Sequence, residues 1–197
     1  MPVAYDDRTA LLVVDVQNDF ADPAGSLAVP GAGDVVAAVN EEVAAASSAG
    51  ATVVYTRDWH PPRTPHFAID GGPWPVHCVR DTWGAEFHPD LVVAGDTLHK
   101  GTGGEDGYSG FTMRDHGTGE DASTGLDALL RARGVEHVAV VGLALDYCVK
   151  APALDAVVLG YRCTVRRRAT APVEVEPGDG AAAEAALTAA GVVVDHG

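Results

Sequence analysis

The sequence predicts an α/β protein of three layers, with a six-stranded parallel sheet covered by helices on both faces. Strand-like apolar runs alternate with helix-patterned segments along the chain, and those runs are almost continuously apolar. A strand of that kind needs cover on both faces, which is the habit of parallel sheets. Gly50, Gly134, Gly160 and Gly191 each follow a helical segment directly, where a left-handed C-terminal residue is favoured.

The first strand is Thr9–Val14, followed by a Gly/Pro-rich loop to Gly33. Asp34–Ala49 is a helix, with Val35, Val36, Val39 and Val43 at helical spacing. Ala51–Thr56 is a second strand, rich in β-branched residues. From Asp58 to Gly95 the chain is proline-rich and loop-like. A loop of that length is functional or disordered, and Trp59, Trp74 and Trp83 within it argue for packing. Asp96–Lys100 is a short third strand, and a glycine-rich loop leads from it to a helix at Thr124–Arg133. His137–Val141 is the fourth strand, Tyr147–Leu159 a helix and Arg162–Arg166 the fifth strand. Asp179–Ala190 is a last helix and Val192–Asp195 a last strand. No linker or repeat interrupts this pattern, so residues 1–197 read as one domain.

Apolar residues make up 47% of the chain and charged residues 21%, a balance suited to a folded core. Thirteen basic against 28 acidic side chains give a net charge of −15. An acidic surface repels nucleic-acid phosphate and anionic lipid, which argues against both as partners. No apolar run approaches the roughly 20 residues of a membrane span. Met1–Asp7 lacks the basic and apolar regions of a secretory signal. Cys78, Cys148 and Cys163 are too few and too scattered for a disulfide framework. The chain reads as cytoplasmic, and a homo-oligomer is compatible with it.

Three polar residues fall where a strand hands over to a loop or helix: Asp15, Lys100 and Cys148. The carboxyl ends of parallel strands share one sheet edge, so these side chains can converge. A thiol opening a helix has its pKa lowered by the helix dipole. Asp15 can then take the thiol proton and pass it to a leaving amine, with the Lys100 ammonium keeping Asp15 ionised. Taken singly, a cysteine in an apolar stretch is commonly core filler, and an acid at a strand end is commonly a cap.

A second group is Asp58 and His60, with His66 and His77 further along the same loop. Residues at i and i+2 of an extended segment point to one side, so Asp58 and His60 can share an ion. His77 or His66 would complete three protein ligands and leave positions open, as in a catalytic metal site. Loop histidines are also commonly just solvated. Phe20, Trp74 and Tyr108 lie in loops, where they can line a slot for a planar ring or simply hold the loops down.

Five blocks carry a family resemblance: Asp15-Val16-Gln17-Asn18-Asp19-Phe20, Arg57-Asp58-Trp59-His60-Pro61-Pro62, Trp74-Pro75-Val76-His77-Cys78, Lys100-Gly101, and Gly142 to Val149. In order and in content they resemble the nicotinamidase/pyrazinamidase branch of the isochorismatase-like cysteine hydrolases, from about Thr9 to Val194. The resemblance implies a sheet of strand order 3-2-1-4-5-6. It implies a catalytic triad of Asp15, Lys100 and Cys148, with Cys148 forming a thioester with the carboxamide carbon of nicotinamide. It also implies one divalent metal ion, zinc or else iron or manganese, on Asp58, His60 and His77, with His66 as a fourth ligand in some members. Phe20, Trp74 and Tyr108 match positions that line the ring pocket. A cis peptide before Ala144 is implied too, with the backbone N–H groups of Ala144 and Cys148 as an oxyanion hole. Metal-free relatives acting on another carboxamide or carbamoyl compound are the alternative, and the Asp58, His60 and His77 set argues against them. Two departures stand out: Glu105 and Asp106 lie near the expected pocket rim, and Pro152 falls in the helix that Cys148 opens.

Overall fold

The computed structural model describes residues 4–197; Met1–Val3, part of the segment read for a secretory signal, lie outside the described residues. The chain runs through β1 (Thr9–Val14), α1 (Asn18–Ala21), α2 (Ala32–Ser48), β2 (Thr52–Asp58) and β3 (Asp96–Lys100). A hairpin of β4 (Thr112–Arg114) and β5 (Asp121–Ser123) follows, then α3 (Leu126–Ala132) and β6 (His137–Leu143). The last elements are α4 (Lys150–Val158), β7 (Arg162–Ala171), α5 (Asp179–Ala189) and β8 (Val193–Asp195). Six strands form a parallel sheet in the order β3-β2-β1-β6-β7-β8, which is the expected 3-2-1-4-5-6 once the separate hairpin is set aside.

Strand β1 is buried along its whole length and feeds both faces in alternation. Leu11 and Val13 join one apolar cluster with Val35, Val36, Val39 and Val43 of α2. Ala10, Leu12 and Val14 join the opposite cluster, with Leu126 and Leu130 of α3, Ala153 and Ala156 of α4 and Leu187 of α5. The period-2 direction of side chains therefore splits one apolar run between two cores, as the near-continuous pattern required.

Where the structure departs from the sequence reading, local chemistry explains it. The fifth sheet strand runs to Ala171 rather than stopping at Arg166. The run Arg166–Arg168 does not end the strand, and two of its charges are paired: Arg166 with Glu42 and Asp195, and Arg167 with Glu184 of α5. Strand β7 bulges against β6: Val140 and Gly142, two apart on β6, pair with Val165 and Thr170, five apart on β7. Gly142 has φ 106°, and a Cβ there would stand 2.1 Å from the Val14 carbonyl oxygen, so only glycine fits. The helix expected from Tyr147 begins earlier, as a π-helical turn over Leu145–Val149 that runs into α4. Pro152 sits in the first turn of α4, where it offers no N–H to the Cys148 carbonyl four residues back. Among the described residues, no helix is long and apolar enough to cross a membrane.

Candidate active site

The register of the sheet sets the site. Asp58 and Lys100 are direct partners at the last position of the β2–β3 ladder. Pairing of β1 with β2 ends at Val14 and Thr56, after which the chain turns at Asp15 with φ 48°. That turn aims the Asp15 carboxylate along the sheet edge. Thr56 donates its hydroxyl to Asp15 Oδ1 at 2.6 Å, and Lys100 Nζ lies 2.6 Å from Asp15 Oδ2. The same ammonium lies 2.5 Å from Asp58 Oδ1, donates to the Gly107 carbonyl and reaches Cys148 Sγ at 3.8 Å. Asp15, Lys100 and Cys148 are thus brought together, all three buried.

The electrostatics differ from the sequence expectation at two points. Cys148 lies inside the Leu145–Val149 turn rather than at a free helix N-terminus. Burial dominates there and pushes its thiol well above the usual range; Lys100 works against that rise, and Asp15 and Asp58 add to it. Burial thus favours the thiol form of Cys148 over a dipole-stabilised thiolate. Asp15 is not held at an ordinary carboxylate pKa either. Burial raises it to about 6, with Lys100 only partly offsetting the effect. A carboxylate tuned in this way suits proton transfer near neutrality. Burial also disfavours the Lys100 ammonium, but the two carboxylates overcome it and hold it charged.

On the far side of Asp58 lie three histidines. His60, His66 and His77 are all buried and each places one ring nitrogen within 4.8 Å of the others. Asp58 Oδ2 is 3.7 Å from His60 Nε2 and 3.9 Å from His77 Nε2, so His66 joins a group that includes both expected histidines and the carboxylate. Short bridges in the proline-rich loop build this group. The Cys78 carbonyl accepts from the His60 N–H and the His60 carbonyl from the Arg80 N–H, while Phe67 and Trp74 bridge beside His66. Gly101 has φ 67°, and a Cβ there would stand 2.4 Å from His60 Cε1, so the imidazole occupies space a side chain would fill.

The donor set fits a metal ion. Both ring nitrogens of His60 and Nδ1 of His66 are buried with no hydrogen-bond partner among the described residues. Buried lone pairs left unpartnered are costly, and a cation is the partner that several imidazoles and a carboxylate share. His77 Nδ1 rests 2.7 Å from the Pro75 carbonyl, which fixes the ring and turns Nε2 inward. Burial, assisted by His60, lowers His66 to about 3, and burial likewise lowers His77, so both rings favour the neutral form, whose lone pairs can face a cation.

Both groups open on one narrow slot, walled by Phe20, Trp74, Tyr108 and Tyr147, with His66, His77, Asp58, Ala144 and Cys148 at its base. Trp74 Nε1 donates to the Tyr108 hydroxyl at 2.7 Å, and Tyr147 meets Trp74 edge-on with centroids 4.7 Å apart. Tyr147 was legible only as the neighbour of Cys148 in the Asp-Tyr-Cys run. Neither Glu105 nor Asp106 rims the slot: Glu105 accepts from the Gly103 N–H and Asp106 from the Arg114 N–H. His116 approaches His66 from the β4–β5 turn, with centroids 5.8 Å apart. The Leu143–Ala144 peptide is cis.

The isochorismatase domain family matches residues 9–196. The chain is 37% identical to the nicotinamidase of Escherichia coli (strain K12), over 94% of this chain and 93% of that protein. It superposes on the crystal structure of PnC1 from L. infantum in complex with nicotinate, with a TM-score of 0.87 at 34% identity, covering 98% and 96% of the two chains. Against the pyrazinamidase of Pyrococcus horikoshii in complex with zinc the TM-score is 0.83 at 38% identity, covering 95% and 98%. Motif order, sheet topology and these likenesses together make the chain a member of the isochorismatase family, in its nicotinamidase/pyrazinamidase branch.

Proposed function

We propose that this protein is a nicotinamidase that hydrolyses nicotinamide to nicotinate and ammonia through a Cys148 thioester, and that it also accepts pyrazinamide. One observation carries the reading. A buried lysine joins the carboxylate and thiol of a hydrolytic centre to the carboxylate of a three-histidine cluster, at the base of a slot shaped for a flat ring. The relatives' nicotinate and zinc complexes support the same product and ion. The three unpaired cysteines suit a reducing, cytoplasmic setting.

Asp15 takes the Cys148 proton as sulfur attacks the carboxamide carbon, so the buried thiol ionises only when an electrophile is present. The backbone N–H groups of Ala144 and Cys148 receive the developing oxyanion. Asp15 returns the proton to the amide nitrogen, the C–N bond breaks and ammonia leaves a thioester. Asp15 then takes a proton from water as the water oxygen attacks that thioester, and passes that proton to the departing Cys148 sulfur. The acid product loses its remaining proton to leave as nicotinate. Lys100 stays charged throughout and balances whichever of Asp15 and Cys148 is anionic. Asp58, His60 and His77, with His66 as a fourth, would hold one divalent ion, zinc in the first instance. When bound, that ion supplies a Lewis-acidic partner for the pyridine nitrogen.

The test is ammonia release from nicotinamide and from benzamide, which lacks the ring nitrogen, with metal content measured on the same sample. Sites built around one polar contact reject analogues lacking it by up to about 10⁴–10⁵. Benzamide is therefore expected to have a kcat/KM at least about 10²-fold lower than nicotinamide. Benzamide turnover within tenfold of nicotinamide would remove the ring-nitrogen contact from the reading.

A further inference from the structure

Gln17 is bonded to the backbones of both Asp15 and Asp58, is fully buried, and the reaction above makes no use of it. Its place follows from how β1 ends. For Asp15 to meet Lys100 the chain must leave the sheet at residue 15, where the last backbone link to β2 is the Asp15 N–H to the Thr56 carbonyl at 3.3 Å. Asp58, two residues further along β2, is then left without a neighbouring strand on that side. The side chain of Gln17 fills the gap. Its Oε1 accepts from the Asp58 N–H at 2.8 Å, and its Nε2 donates to the Asp58 carbonyl at 2.8 Å. The primary amide stands in for the missing peptide of β1.

The remaining contacts hold that amide in place. Nε2 also donates to the Ala85 carbonyl at 2.9 Å, which in turn accepts from Arg57 Nε and Nη2 at 3.0 and 2.6 Å. The Gln17 backbone N–H donates to the Asp15 carbonyl at 2.8 Å. One residue therefore ties the backbone that carries Asp15 to the backbone that carries Asp58. Both polar ends of its amide are used, so neither a shorter asparagine nor a charged glutamate can reproduce the set.

We infer that Gln17 is a positioning residue: it fixes the Asp58 backbone so that one carboxylate oxygen meets Lys100 while the other faces His60 and His77. The inference rests on the reading of the histidine cluster as an ion site. Partners that orient a metal ligand are typically worth 10–100-fold in metal affinity.

The experiment measures zinc affinity by competition with a chromophoric chelator in wild type, His60→Ala, Gln17→Met and Gln17→Glu. Circular dichroism and thermal melting identify which variants are folded. Methionine keeps the volume without polar atoms; glutamate keeps the acceptor and loses both donor bonds. His60→Ala tests the ion site itself: if wild type binds no zinc, or His60→Ala binds as tightly, that reading fails and the inference goes with it. With that control in place, a folded Gln17 variant is expected to bind zinc about 10–100-fold more weakly at unchanged stoichiometry. Raising zinc should bring nicotinamide turnover back toward wild type, a recovery that general loosening of the core would not give. Wild-type zinc affinity in either folded variant, or a loss of turnover that saturating zinc leaves untouched, overturns the assignment.

Discussion

In the proposed mechanism Asp15 decides the pH range of the reaction, because it must be ionised to take the Cys148 proton. Its pKa is raised to about 6 by burial, so kcat/KM should fall tenfold per unit as pH drops below that value. A dication beside Asp58 stabilises the ionised form and moves this acid limb lower. A pH profile of kcat/KM with and without bound metal checks both statements. Asp15→Asn keeps the shape and removes the base, for an expected loss of about 10²–10⁴ in kcat/KM. Cys148→Ala should abolish turnover with fold and metal content intact. Iodoacetamide, followed by mass spectrometry, should label Cys148 before Cys78 or Cys163, because its sulfur alone of the three lines the slot. That labelling should be slow at neutral pH, since burial keeps the thiol protonated. At this scale the sequence was informative about identity and silent about environment. Asp15, Lys100 and Cys148 could be picked out as polar residues at strand ends. The state of Cys148 could not, because a thiol's pKa depends on what buries it, and that is settled by segments far away in the chain. Gln17 stood in plain view beside Asp15 and carried no signal, since an amide acting as a strand's peptide has no spacing rule.

Among the elements, the loop between β2 and β3 and the β4–β5 hairpin carry the most functional consequence. Hydrogen bonds between Asp106 and Arg114 in both directions tie the hairpin to the segment leading to Tyr108. Replacing Thr112–Ser123 with a short turn should therefore loosen Tyr108 and the slot wall. The expected outcome is a KM for nicotinamide raised severalfold with a smaller change in kcat, read from steady-state kinetics. The hairpin was not legible in the sequence. Its strands are three residues each, exposed or half-buried and polar, so they show none of the apolar alternation that marks a strand. The six sheet strands were legible because burial on both faces wrote apolar residues along them. Helix α5 is a different case, alanine-rich and anchored chiefly by Ala183 and Leu187. Leu187→Ala should cost about 2–5 kcal/mol, measurable by urea denaturation, since little else holds the helix down.

Over the whole molecule, the topology draws the site from distant parts of the chain: Asp15 after β1, Asp58 from β2, Lys100 from β3 and Cys148 after β6. The layers and the site edge were legible as soon as the alternation of strands and helices was seen, because parallel sheets gather ligands at their carboxyl ends; the strand order came only with the family resemblance. The central place of β1, between β2 and β6, also governs what a ribosome exposes. β2 can dock on one side of β1 early, but β6 ends 143 − 58 = 85 residues after β2 does. At about 5–20 residues per second, one flank of the most apolar strand stays bare for roughly 4–17 s. By the end of that interval the nascent protein holds Asp15, Asp58 and Lys100 and still lacks Cys148. It is then a sticky, inert half-sheet, and the element that seals its open edge leads directly to the residue that makes it an enzyme.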